Sequence, residues 1–404
     1  MLLTKLISWG VVVLLAAQDA WAEPPAGLTW ELVFSDEFNG TTADLDKNWA
    51  FQDGPSGHIL CSRWRDNVVA ADGLCRLLNK KEQRGGQEWT SGSMWTKRQF
   101  RYGYFECRYK YGATTGLNNS FWLMTQGKER PEVPVRFEID VNEGHYPNEI
   151  ATNIHKWSGA HTSKSRSFRL GVQAGHAFPL ETPVETDRLR LVVRDNGRVR
   201  VTELRVFPAG LAGYPALFAR SADAPEGTAT NLALTSKATA SSELSDKYSA
   251  AKAIDGRLDA DSRWVSNDGP GPHTLTVELE SRQRIGCVHL ITGTKKDAGW
   301  VDPIGDFVLQ YWDGHRWINI SQAESAGRVD LSREFHGYGL EWNEQELVFY
   351  FDGKVLRREP NVFCHGAAPV WLSSAIIKWA GPVTDQIDGT SMDVDWVRVY
   401  QRKP

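Results

Sequence analysis

An all-β protein is predicted by three features of the sequence. Helical periodicity is nearly absent. Short runs that alternate apolar and polar residues recur about every ten residues, broken by Gly, Asn and Asp. The closing segment VDWVRVY sets Trp396, Arg398 and Tyr400 against Val397 and Val399, as a strand with two distinct faces does. A chain of 404 residues exceeds what one hydrophobic core usually serves, so two domains are expected.

The N-terminus carries Lys5, the short apolar run Leu6 to Ala17 and then Ala20-Trp21-Ala22. This is the layout of a signal peptide (1–22) cleaved after Ala22, and it predicts a secreted or periplasmic protein. The run is too short to span a bilayer, and no other stretch is long enough. No Cys follows the cleavage site, which argues against a lipid anchor. Net charge is −4 with both signs interspersed, which predicts no nucleic-acid groove and no anionic membrane surface, and leaves neutral or anionic glycans as partners. A monomer is expected. Seventeen Trp suit sugar binding, because an indole stacks on a sugar ring while its N–H bonds a hydroxyl; most of them would equally serve a core. Export permits disulfides. Cys61 and Cys75 could staple adjacent strands, but with Cys107, Cys287 and Cys364 the count is odd, and the spacing matches no zinc site.

Hairpin turns are predicted at Asp195-Asn196-Gly197 and Asp352-Gly353. Residues 208–230 are rich in Ala, Gly and Pro and form a linker or wrapping loop. The segment beyond this linker resembles the opening of a discoidin (coagulation factor V/VIII C-type) domain, carried by Asn231-Leu232-Ala233, Ala253-Ile254-Asp255-Gly256 and Arg263-Trp264. That resemblance implies a β-sandwich, of a kind that often binds sugars, and points to Trp300, Trp312 and Trp317 as its sugar-facing aromatics. Its usual closing strands are missing downstream and look like residues 187–207 upstream. Either the domain is circularly permuted or 187–207 is an unrelated hairpin.

The chemistry centres on Glu138-Ile139-Asp140-Val141-Asn142-Glu143. Residues two apart on a strand face the same way, about 6–7 Å from one another, so Glu138 and Asp140 share a face. Glu143 has the wrong parity. For all three to meet in one cleft the strand must bulge by one residue between Asp140 and Glu143. Three acids on one face repel unless a proton is shared, which raises at least one pKa, as a general acid requires.

Around these acids lie LVFSDEFNG, LDKNW, WTSGSMWTKRQFRYGYFECRYKY, GLNNSFWLM, NIHKW, FHGYGLEW, LVFYFDGKV and VDWVRVY. In this order the segments resemble glycoside hydrolase family 16, the family of laminarinases, agarases, porphyranases and carrageenases. The resemblance implies a concanavalin-like β-jelly-roll at 23–178 and 328–404, interrupted by the discoidin-type sandwich at 179–327. It implies retaining hydrolysis of a β-linked polysaccharide, with Glu138 as nucleophile, Asp140 tuning it and Glu143 as general acid/base. Trp122 matches the sugar-stacking Trp beside the cleavage point and His155 the histidine near the acids. Trp95, Asn119, Trp157 and Trp379 are further candidates for the cleft. No cofactor is needed for catalysis, but a structural calcium is implied on the convex side at Glu37 and Asp395, a donor set that suits a hard cation. The FWLM and IHKW contexts favour an algal galactan (agar, porphyran or carrageenan type). A laminarinase-type β-glucanase, a transglycosylase using the same residues and a non-catalytic glycan-binding protein are the alternatives.

Overall fold

The computed structural model describes residues 24–219, 230–296, 299–323 and 329–403. The expected signal peptide lies outside them. No helix among the described residues is long and apolar enough to cross a membrane.

Two antiparallel sheets form the first sandwich, a jelly roll. The acid-bearing sheet runs Thr162–Arg169, Glu149–Lys156, Phe137–His145, Leu117–Met124, Val370–Ile376, Ser93–Thr96 and Trp49–Phe51. The opposing sheet runs Lys354–Pro360, Glu346–Phe351, His336–Trp342, Gly103–Lys110, Ser391–Arg402, Leu74–Leu78 and Val68–Ala71, with Trp30–Asp36 paired to Ser391–Arg402. Both layers therefore combine strands from before and after the insert. Strand parity explains the core. Phe137 and Ile139 turn inward, meeting Phe121, Leu340, Trp342 and Val397 from neighbouring strands and the facing layer, while Glu138 turns the other way. Each such buried side chain contributes roughly 1.5–3 kcal/mol. The turn at Asp352-Gly353 has positive φ at both positions (47° and 70°), which matches the right-handed twist of the strands it joins.

The second sandwich is built on two long bent strands, Gly175–Val193 and His273–Thr292. They pair at 175–179 with 291–287 and again at 188–193 with 278–273, with register shifts at Pro179/Val184 and Thr186/Arg188. Its own core includes Leu189, Leu191, Val206, Trp264, Val277 and Leu290. Arg200–Pro208 pairs with His273–Thr292, so residues 187–207 are part of this sheet and not an unrelated hairpin. The expected hairpin across Asp195-Asn196-Gly197 is nevertheless not formed. His273–Thr292 stands between the strands on either side, pairing with Gly175–Val193 along one edge and with Arg200–Pro208 along the other, and takes up their backbone groups.

Sheet membership changes between Arg169 and Gly175, so Gly175–Phe178 already pair in the second sandwich, ahead of the expected boundary at 178. It changes back between Ala323 and His336. Residues 208–219 wrap the second sandwich: Arg205 Nη1 donates to the Ala219 carbonyl at 2.7 Å, and Phe218 stacks on Trp300. Residues 220–229 of the expected linker lie outside the described residues. All five Cys are buried free thiols. Cys61 and Cys75, whose strands are not adjacent and belong to different sheets, do not pair.

Candidate active site

The strand Phe137–His145 carries the one-residue bulge that the acids require. Along Glu149–Lys156, Asp140 pairs with Asn153 but Glu143 with Ala151, three residues against two. The extra residue leaves Val141 and Asn142 both inward. Asn142 is buried and donates to the hydroxyls of Tyr109 and Tyr111, which fixes the inner side of the bulge. Gly144 follows because Tyr111 presses on the strand, where a Cβ would lie 2.2 Å from its ring.

Each outer acid is held by its own donor. Trp157 Nε1 donates to Glu138 Oε2 at 2.8 Å. Asn118 Nδ2 donates to Glu143 Oε1 at 2.7 Å, and Asn153 Nδ2 donates to Glu143 Oε2. Asp140, only 2% exposed, lies between them, with His155 Nε2 at 3.2 Å from its Oδ2. One atom from each of Glu138, Asp140 and His155 falls within 4.8 Å of the others. Burial, and then the Asp140 charge, push the Glu138 carboxyl up to about 8. Asp140 is held well above the usual carboxylate range by burial and then by Glu143.

Trp122 is the cross-strand partner of Asp140, and its Nε1 donates to Ser373 Oγ at 3.1 Å. Trp371 stacks on it at 4.7 Å, and Trp95 on Trp371 at 4.4 Å, so three adjacent strands raise a wall of indoles beside the acids. Trp157 is 38% exposed over His155 and His161. Trp379 stands 63% exposed in the short turn Lys378–Ala380. Asn119 is not in the cleft. It is fully buried, donates to the Gly144 carbonyl at 3.0 Å and accepts from the Gly112 N–H at 3.0 Å. Its neighbour Asn118 occupies the cleft side. Parity with Trp122 indicates as much, since 118, 120 and 122 share a face. Asn153, His161 and Trp371 were also missed, although Asn153 has the parity of His155.

The calcium expectation meets an obstacle. Both oxygens of Glu37 accept from Arg398 at 2.9 Å, and Asp395 is bound to Arg108. Guanidinium groups already neutralise both carboxylates, so these two residues do not fit a shared cation.

A jelly roll whose bulged strand aims three acids at one face, beside a wall of tryptophans, defines a class of proteins that work on sugar chains. The chain belongs to glycosyl hydrolases family 16, whose profile matches residues 60–178 and 310–398. Residues 237–336 match the F5/8 type C domain. Where the two matches overlap, strand pairing assigns Phe307–Trp312 and Trp317–Ala323 to the insert and His336–Trp342 to the jelly roll. Similar curated proteins include a glucan endo-1,3-beta-glucosidase of Cryptopygus antarcticus, 29% identical over 31% of this chain and 51% of its own length. Another is beta-porphyranase D of Zobellia galactanivorans, 27% identical over 33% and 37%. A third is the endo-1,3-1,4-beta-glycanase EglC of Rhizobium meliloti, 38% identical over 19% and 17%. The chain thus spans about half or less of the curated relatives it matches. Among solved structures, the catalytic domain of a Thermotoga petrophila laminarinase aligns with a TM-score of 0.48 at 16% identity, over 94% of this chain and all of that one. The kappa-carrageenase of Pseudoalteromonas carrageenovora aligns at 0.45 and 16%, over 96% and 100%.

Proposed function

We propose that this protein is an exported, retaining endo-glycoside hydrolase that cleaves a β-linked polysaccharide of the algal galactan type. Glu138 attacks the anomeric carbon and Glu143 protonates the departing oxygen. Glu143 then takes a proton from water as the glycosyl-enzyme ester is hydrolysed. Asp140 tunes the nucleophile: in the attacking form its proton is directed at the Glu138 carboxylate. The observation that carries this reading is the bulge, which sets Glu138 and Glu143 on either side of Asp140 on one face. Asp140 feels both of them. Asn118 and Asn153 fix Glu143, and Trp122 offers its outer face to a sugar ring. Each of these interactions adds preorganisation that water lacks.

Likeness to a porphyranase supports the galactan, and likeness to a glucan endo-1,3-beta-glucosidase supports a β-glucan as the second reading. A digest of agarose, porphyran, carrageenans, laminarin and lichenan separates them. Endo-type oligosaccharides from one polymer, lost in Glu138→Gln, are expected. Full activity in that variant would end the assignment.

The insert serves as a permuted glycan-binding module. Trp312 and Trp317 meet edge-on at 5.4 Å across neighbouring strands, with Arg188 and Arg190 lying over their rings. Such a platform raises substrate concentration at the cleft. Replacing both Trp by Ala should reduce retention on immobilised polysaccharide while leaving turnover of short oligosaccharides intact. Equal retention would remove the module.

A further inference from the structure

His161 takes no part in the chemistry described above, yet it closes a line of contacts from solvent to the most buried acid. It is exposed at the end of the loop after Glu149–Lys156. Its Nε2 lies 3.1 Å from His155 Nδ1. On the far side of that ring, His155 Nε2 lies 3.2 Å from Asp140 Oδ2, and this buried oxygen accepts no hydrogen bond from any described residue. The His161 ring also lies 4.3 Å from that of Trp157, nearly parallel at 19°, and Trp157 holds Glu138.

For a neutral His155, counting protons fixes the direction of the line. A neutral imidazole carries one N–H. When the Asp140 proton is directed at Glu138, its Oδ2 is an acceptor and His155 must present Nε2–H to it. His155 Nδ1 is then a lone pair, and the proton in the contact between the two rings belongs to His161 Nε2. The opposite arrangement, with His155 protonated at Nδ1, sets two lone pairs against each other at 3.2 Å unless Asp140 turns its proton away from Glu138. Which nitrogen of a histidine is protonated is set by the bond the other nitrogen makes.

We propose that His161 is a positioning residue that donates from Nε2 to His155 Nδ1, locking His155 in the Nε2–H tautomer that donates to Asp140 and leaving the Asp140 proton for Glu138. The proposal rests on Glu138 being the nucleophile. Trp157, packed on His161 while bonded to Glu138, ties the same loop to the same acid.

The test is a two-bond proton–nitrogen correlation spectrum of the full chain labelled with nitrogen-15 histidine, in which His155 is identified by its loss in His155→Gln. The expected spectrum shows His155 protonated at Nε2. In His161→Leu the tautomer becomes mixed, whereas in His161→Gln, whose amide can donate in the same place, it persists. With laminarin and porphyran as the two probes, His161→Leu should lower kcat about tenfold on the one that is cleaved, with KM within about threefold, and His161→Gln should recover most of the loss. A wild-type His155 protonated at Nδ1, or Leu and Gln variants that behave alike, overturns the proposal. The spectrum needs no substrate, so it stands apart from any failure of the glycosidase reading, which shows instead as an active Glu138→Gln.

Discussion

Replacing Trp157 by Phe removes one N–H and keeps a ring over the two histidines. The lost bond is the 2.8 Å donation to Glu138 Oε2. A hydrogen bond to a charged acceptor contributes ~1.5–3 kcal/mol when buried. The indole is 38% exposed, and screening by solvent reduces this to ~1–1.5 kcal/mol. At ~1.36 kcal/mol per pKa unit, the Glu138 carboxyl rises by about one unit. Burial and Asp140 already hold that carboxyl at about 8, and only its ionised form attacks. At neutral pH kcat/KM should therefore fall about tenfold, and the acid-side limb of its pH profile should move up by about one unit while the activity above it approaches the wild-type value. The assay is reducing-end release from the cleaved polymer across the pH range. A limb that stays in place, or a loss that is equal at every pH, refutes this account of how Glu138 is held.

Three further outcomes are expected. Asn118→Ala and Asn153→Ala each remove a donor from Glu143 and should lower kcat about tenfold with little change in KM. Asn119→Ala should leave turnover per folded molecule unchanged and cost ~1–3 kcal/mol of stability in urea titration, because it orphans buried backbone groups. Glu138 also links stability to pH. Its folded-state pKa is raised from 4.5 to about 8, so the folded chain binds this proton more tightly than the unfolded chain. The contribution is intact below about 4.5 and is lost as pH climbs to about 8, by an amount on the order of a few kcal/mol. Urea midpoints at the two ends of that window should differ less in Glu138→Gln than in the wild type. Parallel behaviour would show that the carboxyl is not held as described.

Much of the site was legible because strand parity is a local property. The sequence FEIDVNE has acids at two positions of one parity and one of the other, so a single bulge is the least change that unites them, and the register shift falls there. The same rule, applied to NNSFW, separates Asn118 from Asn119. Other features depend on contacts distant in sequence. Nothing in SDEF announces that Arg398, 361 residues later, will clasp Glu37, and nothing near Asp395 announces Arg108. The turn at Asp195-Asn196-Gly197 has hairpin composition, but strand 273–292 intervenes between the strands it joins, and no local pattern encodes an intervening strand. Trp371 becomes part of the cleft only through pairing with Trp122.

The configuration of the first sugar released bears most directly on the double-displacement role of Glu138 and Glu143. Proton NMR of the freshly cleaved polymer, recorded before mutarotation, should show the β-anomer at the new reducing end. Appearance of the α-anomer first would mean that water, and not Glu138, attacks the anomeric carbon.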